Sequence, residues 1–146
     1  MSEQPGSLNV LIIEDEAILV MDMEMVVEDA GHRVVGDAAS VNELRDLQLQ
    51  EPPHLAFIDV HLAQGSSGLE ASAIVRDRWS DVCIVFVTAN PDKVPAGHAG
   101  SHGVIGKPFT HKGMLAALAY ICEGICAPPP TLVIPPCFKP FQTFDA

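Results

Sequence analysis

Basic side chains are scarce in this chain: 8 lysines and arginines stand against 19 aspartates and glutamates, a formal net charge of −11 over 146 residues. That balance argues against a protein that follows a nucleic-acid backbone, which needs a basic face. It suits a soluble protein that holds a cation or meets a basic partner surface. Long apolar runs are also missing. None approaches the roughly 20 residues of a membrane-crossing helix, so no membrane association is expected. The opening Met-Ser-Glu-Gln-Pro-Gly-Ser has no basic region followed by an apolar stretch, hence no secretory signal is expected and the cytoplasm is the expected compartment. Cysteine is sparse and carries no CxxC pair. Cys83 lies in an apolar run, Cys122 and Cys126 are one helical turn apart, and Cys137 follows; reduced thiols are the expectation.

Apolar residues are plentiful, at 48%, enough for one domain with a real core. Short apolar stretches alternate with helical patterns. Leu8–Ile13 reads as a first strand, running into Glu14-Asp15-Glu16. Ala17–Ala30 reads as a helix that Gly31 stops, with a core stripe of Val20, Met23, Val27 and Ala30. Ile18, Met21 and Met25 form a second apolar stripe on that helix and are expected to dock a partner. His32–Ala38 is a second strand, and Ser40 with Glu43 caps a helix expected over Val41–Gln50.

His54–Asp59 is a third strand, apolar from Leu55 to Ile58 and ending in a carboxylate, as in strands buried on both faces. A Gly/Ser loop over Gln64–Gly68 precedes a helix over Leu69–Trp79, and Val82–Val87 is a fourth strand. Asn90-Pro91 opens a poor helical stretch, broken by Pro95, Gly97 and Gly100, so a short or irregular fourth helix is expected. Gly103–Gly106 is a brief fifth strand, and Thr110 caps a last helix from His111 to about Glu123. Six of the twelve prolines lie in Ala127–Ala146, a tail whose Leu132-Val133-Ile134, Phe138, Phe141 and Phe144 predict packing on the domain or a neighbour. The expected division is residues 1–7 as an extension, 8–124 as the domain and 125–146 as the tail.

Strand and helix alternation predicts an α/β three-layer sandwich with a parallel sheet. Glu14, Asp15, Asp59, Thr88 and Lys107 then converge on one sheet edge. Clustered carboxylates call for a cation. Oxygen ligands suit Mg²⁺ (or Mn²⁺), and a lysine opposite them is a point charge for phosphoryl oxygens.

This set, as Glu14-Asp15, Phe57-Ile58-Asp59, Val87-Thr88-Ala89 and Lys107-Pro108-Phe109, resembles the receiver domain of two-component response regulators. The resemblance covers about Leu8–Cys122 and implies a flavodoxin-like (βα)5 fold with strand order 2-1-3-4-5. It implies that Asp59 is the phosphoacceptor, served by a histidine kinase or histidine phosphotransfer protein. It implies Mg²⁺ on Glu14, Asp15, Asp59 and the His61 backbone carbonyl, phosphoryl contacts from Thr88, Ala89 and Lys107, a cis turn at Pro108, and tuning of phosphoryl lifetime by His61 and Asn90. The implied role is a stand-alone receiver that signals to an unidentified downstream protein by contact. The alternative is a degenerate receiver that binds partners without phosphorylation; a flavin-binding fold is disfavoured by the Glu-Asp-Glu loop after strand one. Val104 departs from the family, which commonly has an aromatic there. The missing aromatic beside an apolar tail leads to the expectation that the tail covers the surface of helix four, strand five and helix five. His98 and His102 have i, i+4 spacing, but with no acidic partner nearby a zinc site is not expected.

Overall fold

The computed structural model describes residues 7–124 and 133–141. Its centre is a six-stranded sheet in the order β2-β1-β3-β4-β5-β6. Five strands are parallel: β1 (Asn9–Ile13), β2 (Arg33–Ala38), β3 (Leu55–Asp59), β4 (Cys83–Thr88) and β5 (Gly103–Gly106). Four α-helices accompany them: α1 (Ala17–Asp29), α2 (Val41–Asp46), α3 (Gly68–Arg78) and α4 (His111–Gly124). The fold is the flavodoxin-like sandwich, and each parallel strand ends on the same edge.

Alternating side chains of β1, β3 and β4 divide between two cores. Val10, Ile12, Leu55, Phe57, Val85 and Val87 pack against α1 and α4. Leu11, Ile13, Ala56, Ile58, Ile84 and Phe86 pack against α2 and α3. Both faces of these strands are buried, which explains why their sequences are apolar without alternation.

Helix α1 ends as Gly31 predicts. Gly31 takes φ +88, its N–H donates to the Glu28 carbonyl, and the His32 N–H reaches back to Val27, the paired bonds of a Schellman stop. Its core stripe is corrected: Met23, Val26 and Val27 are buried, Val20 packs only partly, and Ala30 is an exposed cap. Helix α2 begins as expected, with the Ser40 hydroxyl accepting the Glu43 N–H at 3.1 Å. It stops at Asp46, however, instead of reaching Gln50. Leu47 and Leu49 turn inward to the core, and Leu49 lies where a side chain on Gly36 would be. The Arg78 guanidinium takes the Leu44 and Leu47 carbonyls at 2.9 Å each, satisfying the helix end.

The fourth helical segment is irregular, as expected. It is reduced to two 3₁₀ turns, Pro91–Lys93 and His98–Gly100, and Asn90 makes no side-chain cap there. Among the described residues the chain therefore has four α-helices, and the expected parallel sheet gains an unexpected sixth strand, β6 (Phe138–Pro140), antiparallel to β5. Phe138 is buried against Tyr120 of α4, with ring centres 5.7 Å apart, and Phe141 packs on the second core. Val133 and Ile134 stay exposed. Cys126, Leu132 and Phe144 lie outside the described residues.

Candidate functional site: an acidic cluster with one lysine

The site assembles because β1 and β3 are neighbours. Their register sets Ile13 beside Ile58, so the carboxylates that follow emerge together. Ligand oxygens of Glu14, Asp15 and Asp59 lie within 4.8 Å of one another. Glu14 and Asp59 are buried and Asp15 is exposed. Among the described residues, this is the one cluster of three or more side chains able to hold a metal ion. His98 and His102 do not join it. His98 meets the Leu69 carbonyl at 3.1 Å, and His102 accepts the Ile84 N–H through Nδ1 at 3.4 Å.

Lys107 reaches the cluster from the end of β5. Its Nζ donates to Glu14 Oε1 and to Asp59 Oδ2, both at 3.1 Å. The His61 N–H donates to Asp59 Oδ1 at 3.2 Å, so each Asp59 oxygen has a donor. Burial, with the Asp59 charge second, raises the Glu14 pKa from 4.5 to about 7; the Glu16 N–H and Lys107 oppose the rise without cancelling it. Burial pulls the Lys107 ammonium downward, but hydrogen bonds and charges from Asp59 and Glu14 outweigh it and hold the pKa above its ordinary value. One ammonium therefore leaves the three carboxylates undercompensated. Hard oxygens with excess negative charge fit a small divalent cation such as Mg²⁺.

Thr88 is buried at the end of β4, and its hydroxyl accepts the Asn90 N–H at 3.2 Å. Its carbonyl accepts the Lys107 N–H at 2.8 Å, so β4 and β5 deliver Thr88 and Lys107 as a joined pair. The Lys107–Pro108 peptide is cis. A cleft of about 450 Å³ opens beside Lys107, lined by Glu16 at the entry to α1, by Leu19 and Asp22 of α1, by Ala89, and by Pro108 and Phe109. Ile18, Met21 and Met25 are exposed on α1 at 77%, 62% and 57%, on a stripe next to the cleft-lining one.

Sequence reasoning missed Leu19, Asp22 and Phe109 as cleft walls, because neither a single apolar nor a single acidic residue announces a cavity. It also placed Gly68 in a loop. Gly68 instead opens α3 directly against β3: its N–H donates to Val60 at 2.7 Å, and a Cβ there would lie 1.9 Å from the Asp59 carbonyl oxygen. A glycine at the junction of a loop and a helical pattern is the signal for such close approach.

Residues 10–119 match the response regulator receiver domain family. The phyllosphere-induced regulator PhyR of Methylorubrum extorquens is 36% identical over 114 residues, covering 75% of this chain and 42% of that protein. The chain spans about half the length of the curated relatives it matches. The solution structure of the Erythrobacter litoralis PhyR receiver domain superposes with a TM-score of 0.69 at 31% identity, covering 87% of this chain and 98% of that one. A Burkholderia pseudomallei response regulator, solved with a phosphorylated aspartic acid and a calcium ion, gives 0.65 at 26% identity, covering 82% and 71%.

Proposed function

The chain belongs to the response regulator receiver family, and from that premise we propose that Asp59 accepts a phosphoryl group from a phosphohistidine on a histidine kinase or histidine phosphotransfer protein. A carboxylate oxygen attacks phosphorus, the P–N bond breaks, and its electron pair stays on the imidazole nitrogen, which takes a proton from solvent. The product is an acyl phosphate. Attack of water on phosphorus later returns the carboxylate and inorganic phosphate. The domain assists both steps and acts as a signalling module.

The observation that carries this reading is Lys107 Nζ at 3.1 Å from Asp59 within a trio of carboxylates. Glu14, Asp15, Asp59 and the His61 carbonyl would hold Mg²⁺ or Mn²⁺, which would neutralise phosphoryl charge. Lys107 exchanges a carboxylate oxygen for a phosphoryl oxygen, and Thr88 donates to another. Catalysis by such a site is positioning plus charge compensation. Ala89 is small and lines the cleft, leaving the phosphoryl group a way in. His61 and Asn90 flank the approach of water and set the lifetime of the product. The cleft and the adjoining Ile18, Met21 and Met25 face receive the donor protein. The Burkholderia structure, with its phosphorylated aspartic acid and divalent cation, supports the same chemistry here.

Residues 8–124 form the receiver unit, 1–7 an extension and 125–146 an accessory tail; the unit works in the cytoplasm and signals by contact with a downstream protein. No described helix is long and apolar enough to cross a membrane. The test is incubation with radiolabelled acetyl phosphate. Label that requires Mg²⁺ and disappears in Asp59→Ala is expected. Unlabelled wild type, or label surviving in Asp59→Ala, refutes the proposal and favours a binding module that works without phosphorylation.

A further inference from the structure

Strand β6 closes the β5 edge at the same place where the site takes its lysine. Gly106 donates its N–H to the Cys137 carbonyl at 3.0 Å, and the next residue, Lys107, donates its N–H to the Thr88 carbonyl. The backbone leading into the lysine is thus held by the tail on one side and by β4 on the other. A second tie joins Lys139 to Asp92, in the turn after Thr88–Asn90, at 3.4 Å. The tail is anchored away from the site as well. Cys137 Sγ donates to the Gly113 carbonyl at 3.3 Å, and the Phe138 ring sits in a notch that exists because Gly103 lacks a side chain, since a Cβ there would lie 2.6 Å from the ring. Against these anchors, β6 has three residues, ends in a proline that donates nothing to the ladder, and is preceded by a Val133 that is 89% exposed.

We propose that the β5 edge is a strand-docking groove whose resting occupant is the chain's own residues 133–141, and that phosphorylation of Asp59 releases that occupant. The freed edge then takes an extended partner segment of the same pattern, with an aromatic ring over Gly103, by strand addition. This rests on the phosphoacceptor role proposed above. In the resting site Lys107 spans Glu14 and Asp59. A phosphoryl group draws the ammonium off Glu14 and recruits Thr88, so the residue after Gly106 and the register partner of Gly106 on β4 shift together. The strap, held at its far end by the Phe141 N–H on the His102 carbonyl, pairs with one strand only and opens before the five-stranded parallel core does.

Hydrogen exchange of the full chain with Mg²⁺, with and without beryllofluoride as the phosphoryl mimic, tests this. Exchange at Phe138, Lys139, Phe141 and Gly106 is expected to quicken about fivefold or more, the lower range of ordinary site coupling, while β1 and β3 stay unchanged. Reciprocally, Phe138→Ala, which frees the strap, binds beryllofluoride about fivefold more tightly or better, as read by fluorine NMR. Lys139→Ala, a surface change that cannot unfold the core, shifts affinity in the same direction. Beryllofluoride bound at Asp59 with β6 exchange unchanged or slowed overturns the inference and leaves the phosphoacceptor reading standing. Absence of beryllofluoride binding overturns both.

Discussion

Replacing Glu14 with glutamine is expected to stabilise the metal-free protein at pH 8 and destabilise it slightly at pH 5. The folded-state pKa of Glu14 is about 7 against 4.5, so stability contributed by its neutral form is complete below 4.5 and is lost as pH rises through 7. A rise of that size separates the charged and neutral forms by about 3 kcal/mol. Water reaches the cluster beside the exposed Asp15, which reduces the usable difference to about 2 kcal/mol. The two Glu14 oxygens accept from Lys107 and from the Glu16 N–H. Glutamine keeps one acceptor, and losing the other costs about 1 kcal/mol. The net gain at pH 8 is then about 1 kcal/mol. At pH 5 the folded carboxyl is already protonated, so little charge penalty is relieved and the lost hydrogen bond dominates, by about 0.5 kcal/mol. Urea unfolding in EDTA at the two pH values measures both. Mg²⁺ should reverse the order at pH 8, because an ion at ten times its Kd adds about 1.4 kcal/mol to the wild type and less to a variant with one ligand fewer. A variant less stable than wild type at both pH values in EDTA would refute the reasoning.

Gly68→Ala should slow Asp59 labelling by acetyl phosphate about 10- to 100-fold, with a stability loss of about 1–3 kcal/mol, because a Cβ at 1.9 Å forces the Asp59 carbonyl to move; unchanged labelling kinetics would show that the strand end is not held from this side. Burial lowers the His32 pKa, and its Nδ1 accepts the Leu8 N–H at 2.9 Å, so the neutral ring's contribution is present above about 6.5 and is lost as pH falls through the lowered folded value. His32→Asn should therefore cost less stability at pH 5 than at pH 7.5 by thermal unfolding, and an equal cost at both would remove His32 from the acid response.

Local chemistry made much of the site legible. Asp59 ends a run of apolar residues, Glu14 and Asp15 end another, and Lys107 follows a third, so once the strands are parallel these groups have one edge to share. The Ser40 cap and the Gly31 stop are equally local, because each depends on a few residues in sequence. The contacts between distant residues were not legible. Leu49 ends α2 early because Gly36, on another element, leaves room for it. The cleft walls come from α1, the end of β4 and the turn after β5, and no spacing rule links them.

The tail shows the division most clearly. Its phenylalanines by themselves predict burial, since apolar rings leave water wherever a surface is offered. Which surface, and in which direction the chain runs along it, depended on Gly103 lacking a side chain, on Tyr120 standing beside it, and on β5 being the outermost parallel strand with free edge groups. The sequence by itself determined the α/β alternation and the acid–lysine chemistry, because both are written in neighbouring residues. Only the tertiary structure decided that one lysine would bridge Glu14 and Asp59 and that the tail would become the sixth strand, because both depend on distances between residues far apart in the chain.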